Sequence, residues 1–196
     1  MMDDPLVGRF PAPNITAGRG GMTGNFTPSD WDRIVRHGIR HDGLPAVMPS
    51  MDFQYVSDEE LSDIVSYIRS LPAVDTSVAP RHFGPLGRIL LATGALHLAV
   101  DDISDHMADH STRPPPADTT AAFGEHLAGV CKGCHGPDLS GGPIPGGDPG
   151  WPPAMNLTPH EDGLAGWTYD EFATVLRTGK KPDGTDLRAP MAAVVP

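Results

Sequence analysis

Cysteine is scarce in this sequence, with two residues among 196, so neither thiol has a cysteine partner elsewhere in the chain. Aromatic residues make up 6% and hydrophobic residues 39% of the chain, while 23 residues are glycine and 22 are proline. This composition predicts small, loop-rich domains that need something besides side chains to complete their cores.

Positive charge is also scarce, with 14 lysines and arginines against 25 acidic residues and a net charge of −11. The balance argues against nucleic acid as a partner. It fits either steering toward a basic protein surface or a plain solvated acidic surface. No apolar run approaches the roughly 18–20 residues of a membrane span. The first residues have neither the basic start nor the apolar run of a signal peptide.

Both cysteines belong to one short motif, in which Cys131 and Cys134 are followed at once by His135. Two thiols at this spacing add across the two vinyl groups of haem, and the adjacent imidazole binds the iron as proximal ligand. A redox CxxC is expected after a strand of a βαβ unit, but these flanks read as helix and loop. A zinc site needs further ligands at finger spacing, which the sequence lacks. The motif therefore predicts one covalent haem c.

Capping signals and apolar periodicity predict four main helices. They cover residues 27–38, residues 57–71, residues 123–130 and a segment that begins at Trp167, with Phe172, Val175 and Leu176 facing inward. A further short helix is expected within 89–100, and 101–118 reads as a solvated linker. This connector holds His97, His106 and His110. We interpret all three as surface histidines, and a distal iron-ligand role is the alternative.

The segment after the motif repeats the start of the chain at an offset of 141–143 residues. The matching pairs are Asn14 and Asn156, Gly38 and Gly179, Gly43 and Gly184, and Met48 and Met191. Such self-similarity indicates an internal repeat of one domain type. Asn156 is expected to hydrogen-bond loop backbone, and Trp31, Trp151 and Trp167 are expected to be packing residues or walls of the haem pocket.

Several of these segments carry a family resemblance. The CKGCHG motif, the DLSGGPIPGG loop, the NLT segment, the W-x-x-x-x-F helix with RTG, PDG and a methionine near proline resemble a class I c-type cytochrome. The whole chain is similar to periplasmic or membrane-associated diheme cytochromes c. The resemblance implies an all-α fold of cytochrome c-like helical domains with long Gly/Pro-rich loops. It also implies His135 as the proximal ligand, Met191 as the distal ligand, and Met48 (less favourably Met51) as the distal ligand of a first haem.

The chain also departs from that pattern. The first repeat begins after the place where its CxxCH would stand, so Met48 has no haem motif of its own. The second repeat lacks a counterpart to the helix at 57–71. We therefore expect an incomplete cytochrome domain at 1–75, a connector with one short helix at 76–118, and a haem domain without its last helix at 119–196. The chain is expected to be clipped at both ends, with one haem c where a full-length family member has two.

The resemblance implies an electron carrier, or the cytochrome subunit of a periplasmic dehydrogenase or respiratory complex, that is not itself an enzyme. Its partners would be a dehydrogenase, an oxidase or a small electron carrier. The expected location is the periplasm or the outer face of the bacterial inner membrane, with membrane association only through an N-terminus missing here. A diheme peroxidase-like enzyme is the alternative, but it needs an open axial position, and the Met191 loop argues against one.

The missing last helix leaves the apolar face of the helix at 123–130 uncovered in the haem domain. We expect the helix at 57–71 to dock on this face, within one chain or swapped between two chains. The rival arrangement is two half-domains in their native places, each with an exposed scar.

The first prediction concerns haem stoichiometry. When the chain is expressed with periplasmic haem-maturation machinery, it should carry one covalent haem through Cys131 and Cys134, because it holds one CxxCH motif. Mass spectrometry of the denatured protein checks this. A mass with no haem adduct, or with two, contradicts the prediction.

Overall fold

The structure, a computed structural model, describes residues 2–145, 147 and 150–195. The chain divides into two compact units, here called the first unit (residues 1–130) and the second unit (residues 131–196). The predicted boundaries at 75 and 118 follow the sequence repeat and stay a prediction. Among the described residues, no helix combines the length and the apolar character that crossing a membrane requires.

Helices and loops make up most of the described chain, which agrees with the predicted helical class. The helices of the first unit are α1 (Pro28–His37), α2 (Asp58–Ser70), α3 (Pro85–Ala92), α4 (Ala99–Asp102) and α5 (Ala121–Ala128), with a 3₁₀ turn at Ser50–Phe53. A second 3₁₀ turn at Gly129–Cys131 continues α5 into the next unit. The second unit holds α6 (Lys132–His135), α7 (Tyr169–Thr178) and a 3₁₀ turn at Met191–Ala193.

A small antiparallel sheet departs from the all-α expectation. Its three strands, β1 (Met2–Asp4), β2 (Gly8–Phe10) and β3 (His82–Phe83), pair in the order β1-β2-β3. The hairpin between β1 and β2 turns where the Asp4 carboxylate accepts hydrogen bonds from the backbone N–H groups of Leu6 and Val7, both at 2.8 Å. The strands are two or three residues long, too short for an alternating pattern to reveal them.

The predicted first two helices are confirmed together with their caps. Thr27 forms a capping box with Asp30 at the start of α1, and Ser57 forms one with Glu60 at the start of α2. In each box the N-cap hydroxyl accepts from the backbone N–H of the third helical residue, and the side chain of that residue accepts from the backbone N–H of the N-cap residue. Such a cap stabilises a helix end by roughly 1 kcal/mol. Gly38 ends α1 in the left-handed region, with φ of 65°.

The core of the first unit forms where α1 and α2 meet. Its buried side chains are Phe26, Trp31, Val35, Val56 and Leu61, with Met48 and Ile68 among the partly buried residues packed against them. The ring centroids of Phe26 and Trp31 lie 5.4 Å apart in an edge-on arrangement, a favourable geometry for an aromatic pair. The expected packing role of Trp31 is therefore confirmed.

The last turn of α1 is polar yet buried, because Arg36 is 4% and His37 6% exposed. The Arg36 guanidinium donates to the Val56 carbonyl at 3.0 Å and pairs with the carboxylates of Asp32 and Asp58 at 2.6 and 2.8 Å. These contacts tie α1 to the start of α2. Burial lowers the pKa of His37, against the opposing charge of Asp32, so its imidazole is neutral at pH 7.

The connector contains two short helices where one was predicted. The chain ends α3 at Ala92 and resumes as α4 at Ala99. Gly94 lies between them with φ of 70°, a conformation that interrupts a right-handed helix. The single apolar stretch at 89–100 is therefore divided between the two helices.

The interpretation of 101–118 as a solvated linker is wrong for its middle part. The first backbone N–H groups of α2, at Asp58 and Glu59, donate to the carbonyls of Ser111 and Thr112 at 3.0 and 3.1 Å. Helix N-termini present N–H groups without intrahelical acceptors, and the linker supplies the missing carbonyls. This segment is therefore part of the first unit.

The internal repeat is visible in the backbone. Helices α1 and α7 each have 10 residues, open at a threonine capping box and end at a glycine with φ of 65° and 68°. The turns that follow each hold a glycine with φ of 81°, Gly43 and Gly184. Sequence matching and conformation therefore agree on the repeat.

The start of α2 also contacts α5, as the docking hypothesis expected, but the contact is polar and aromatic. His126 on α5 lies 2.7 Å from the Glu60 carboxylate, and its ring meets Tyr55 edge-on at 5.3 Å. Burial raises the pKa of Glu60, but hydrogen bonds from Ser57 and His126 outweigh burial and lower the pKa overall. Leu127 and Val130 are 55% and 56% exposed. The apolar face of α5 that was expected to be covered is therefore open at these two residues.

The second prediction tests this contact with two glycines, Gly124 within α5 and Gly129 directly after it. A Cβ added at Gly129 would lie 2.4 Å from the Tyr55 ring, whereas one at Gly124 meets nothing within 4 Å. Gly129→Ala should lower the free energy of unfolding by about 1–3 kcal/mol because the site is overpacked. Gly124→Ala should raise it by about 0.5–1 kcal/mol because the helical backbone loses less entropy. Denaturant unfolding measures both, and equal effects of the two alanines would refute the contact.

Candidate functional site

The CxxCH motif lies where a 3₁₀ turn passes into α6. Cys131 is the N-cap of α6, Cys134 falls on its third residue, and His135 ends it. Residues three and four apart on a helix share a face, so the short helix brings both thiols to one side together with the imidazole. The two cysteines form no disulfide with one another, and both are half-buried.

The state of the first thiol argues against the redox alternative. Burial, together with the neighbouring Cys134, raises the pKa of Cys131. Catalytic CxxC motifs need the opposite shift, because the thiolate is the reacting species. The motif also follows a helix instead of a strand. Neither cysteine belongs to a group of potential metal ligands found among the described residues, which argues against the zinc alternative.

His135 is held in the tautomer that an iron ligand needs. Its Nδ1–H donates to the backbone carbonyl of Met155 at 2.7 Å, and the residue is 9% exposed. A carbonyl oxygen only accepts, so the proton lies on Nδ1 and the lone pair on Nε2. Histidine ligands commonly donate their second N–H to a carbonyl in this way, which orients the ring and raises its basicity.

Several hydrogen bonds hold the loop that supplies this carbonyl and connect it to the CxxCH motif. The Gly141 N–H donates to the His135 carbonyl at 2.8 Å, and the Leu157 N–H donates to the Leu139 carbonyl at 2.8 Å. Asn156, next to Met155, accepts from the N–H and the hydroxyl of Thr158 at 2.8 and 2.7 Å. The expected backbone-bonding role of Asn156 is therefore confirmed, and its turn fixes the direction of the Met155 carbonyl.

The second unit has little core of its own. Among its described residues, Val175 is the one buried hydrophobic side chain. Phe172 is half-buried, and Leu176, which was predicted to face inward, is 42% exposed. Trp151 and Val194 are 40% and 72% exposed. A large apolar cofactor held by the thiols of α6 would supply the missing interior, so the residues present fit haem.

Met191 lies at the start of the 3₁₀ turn Met191–Ala193 and is half-buried. The turn is closed by its carbonyl, which accepts from the N–H groups of Val194 and Val195 at 3.0 and 3.2 Å. Its place in the repeat is that of Met48, so its role as distal ligand stays a prediction.

Met48 has different surroundings from Met191. It packs against the core cluster of the first unit, which gives the side chain a structural role in the absence of a CxxCH motif there. Met51 lies in the 3₁₀ turn Ser50–Phe53. An iron-ligand role for either methionine stays a prediction.

The connector histidines differ from one another. His97 is exposed and lies 3.3 Å from Asp102, as expected of a surface histidine. His106 and His110 are instead half-buried, and each has a ring nitrogen within 3.4 Å of His37. The interpretation as surface histidines is wrong for His106 and His110, because both contact the buried His37 on α1. Sequence reasoning missed His37, and only its position in the last turn of a helix hinted at it.

No family model matches the chain, but curated proteins do. It is 28% identical over 194 residues to the cytochrome c subunit of alcohol dehydrogenase (quinone) from Gluconacetobacter polyoxogenes and from Komagataeibacter europaeus. It is 26% identical over 210 residues to a diheme cytochrome c-type protein from Cereibacter sphaeroides. The chain is therefore similar in sequence to c-type cytochromes, one of them a diheme protein.

These matches take in most of the chain and a smaller part of each relative. They cover 89% of this chain and 41% of the two alcohol dehydrogenase subunits, and 96% of this chain and 65% of the Cereibacter protein. The matched region therefore extends over both units of this chain, including the first unit without a CxxCH motif.

The third prediction uses the two repeat copies of the asparagine turn. Asn156→Ala should loosen the Met155 carbonyl, lower the basicity of His135 and so raise the haem reduction potential. Asn14→Ala removes the matching turn at Thr16, where the bonds measure 3.0 and 2.9 Å, and should leave the potential unchanged. Redox titration of both variants checks this. A shift in Asn14→Ala alone, or in neither variant, contradicts the role given to Asn156.

Proposed function

We propose that the chain is a haem c-binding electron-transfer subunit that serves a dehydrogenase and does not itself catalyse a reaction. The observation that carries the proposal is the hydrogen bond from His135 to the Met155 carbonyl, which leaves Nε2 free to bind iron in a residue that directly follows the two thiols of a CxxCH motif. The similarity to diheme c-type cytochromes supports it.

Each residue of the site has a distinct task in this proposal. Cys131 and Cys134 would hold one haem c covalently, His135 would be the proximal ligand and Met191 the distal ligand. Bound haem supplies an iron that takes up and releases one electron without a bond to a substrate. The Met155 carbonyl keeps His135 in one tautomer and one orientation.

A diheme peroxidase-like enzyme remains the second candidate. It would require an open axial position, and Met191 holds the repeat position of a ligand next to Pro190. Two protein ligands would leave no position for peroxide, and a methionine ligand would raise the potential, which favours electron transfer. We therefore place the peroxidase second.

The proposed partner is a dehydrogenase, by analogy with relatives that are named as cytochrome c subunits of alcohol dehydrogenase (quinone). An oxidase or a small electron carrier would accept the electron. The net charge of −11 would steer the chain toward a positively charged docking surface. The proposed location is the periplasm, where covalent haem attachment takes place.

The fourth prediction tests axial ligation with the two repeat methionines. Met191→His should lower the reduction potential, because a second imidazole favours the ferrous state less than a thioether does. Met48→His, at the matching position of the first unit, should leave potential and ferric spectrum unchanged. An unchanged potential and spectrum in Met191→His would show that Met191 does not bind iron. A change seen in Met48→His alone would contradict the assignment of Met191 as the distal ligand.

A further inference from the structure

The contacts around His37 form a second cluster of potential metal ligands, separate from the CxxCH motif. His37 Nε2 lies 3.4 Å from Nε2 of His110 and 3.8 Å from a carboxylate oxygen of Asp32. One ligand atom from each of these residues lies within 4.8 Å of the other two. Asp32 and His37 belong to α1, and His110 comes from the connector.

The hydrogen bonds around the cluster decide where the protons lie. His110 Nδ1 faces the Gln54 carbonyl at 3.2 Å, and His106 Nε2 faces the Val100 carbonyl at 3.1 Å. A carbonyl only accepts, so both nitrogens carry protons. Nδ1 of His106 lies 3.3 Å from Nδ1 of His37. His106 therefore engages the Nδ1 side of the His37 ring and leaves Nε2 to face His110.

The remaining nitrogens, Nε2 of His37 and Nε2 of His110, face one another with an Asp32 oxygen beside them. In the neutral tautomer that fits these contacts, each Nε2 would offer a lone pair to a metal ion. His37 is 6% exposed, so the site is shielded from solvent. A bound cation would take the place of any proton held between the three groups and would satisfy all of them at once.

The distances suit a tetrahedral first-row metal ion. With metal–nitrogen bonds of about 2.0–2.1 Å, two ligands of a tetrahedral ion lie about 3.3–3.4 Å apart. The observed separation of the two Nε2 atoms is 3.4 Å. Two imidazoles and one carboxylate form a ligand set that zinc accepts, with one position left for water.

We propose that Asp32, His37 and His110 bind one Zn²⁺ ion, and that His106 positions His37 without touching the metal. The other Asp32 oxygen accepts from Arg36 at 2.7 Å, so this carboxylate is itself oriented by a partner, as metal-binding carboxylates commonly are. The ion would link the connector, which carries His110, to α1, which carries the other two ligands. The site is independent of haem binding.

The fifth prediction is saturable binding of one Zn²⁺ per chain. The full chain with its haem is dialysed against a chelator, washed and titrated with Zn²⁺ by calorimetry, with protein quantified from the haem absorbance. His110→Ala removes a ligand and should weaken binding by at least 100-fold. His106→Ala should weaken it by about 10–100-fold, as expected for a group that orients a ligand.

Two further variants sharpen the test. Asp32→Asn keeps the shape of the side chain and loses the charge, so it should weaken binding by at least 10-fold even if His110→Ala fails to fold. His97→Ala is the matched control, because His97 lies in the same connector, with its side chain 58% exposed beside Asp102, and it should bind like the parent.

Thermal unfolding of the parent chain should shift upward with added Zn²⁺, and that of His110→Ala should not. The proposal is overturned if the parent shows no saturable binding at micromolar Zn²⁺. It is equally overturned if His110→Ala and Asp32→Asn bind as tightly as His97→Ala, since the ion would then lie elsewhere on the chain.

Discussion

The hydrogen bond between His135 and the Met155 carbonyl, 2.7 Å long, is the contact on which the second unit depends. It joins the end of α6 to a loop 20 residues further on and determines which ring nitrogen carries the lone pair. The loop can supply that carbonyl because the Asn156 turn and the bonds to Gly141 and Leu157 hold its backbone in place. Without these hydrogen bonds the His135 ring would not be held in one orientation.

The two repeats reach stability by different means. The first unit closes around Phe26, Trp31 and Leu61, and it uses Met48 as packing material. The second unit repeats the capped helix and the glycine turn, yet among its described hydrophobic side chains Val175 is the one that is buried. Since secondary structure alone does not bury enough apolar surface to offset chain entropy, the second copy would need a bound haem to complete its core, whereas the first has side chains that do so.

Local chemistry explains what the sequence could predict. The capping boxes at Thr27 and Ser57, the glycine stops and the repeat all depend on residues a few positions apart, and the structure has them as expected. The pairing of β3 with β2 and the docking of Ser111 on α2 depend on partners tens of residues away. The same is true of the Met155 carbonyl and of the contact between His37 and His110. No period or motif in a single sequence encodes such pairings.

One physical device recurs in both units. At His135 and at His110 a backbone carbonyl accepts a hydrogen bond from Nδ1–H, so Nε2 remains as the ring nitrogen available to a ligand. What differs is the set of neighbours. Two thiols stand beside His135, whereas a second imidazole and a carboxylate stand beside His110. Borderline nitrogen and oxygen ligands favour a small divalent ion, while thiols at CxxCH spacing suit a covalently held porphyrin. The same kind of backbone contact therefore orients imidazoles for two different ligand chemistries.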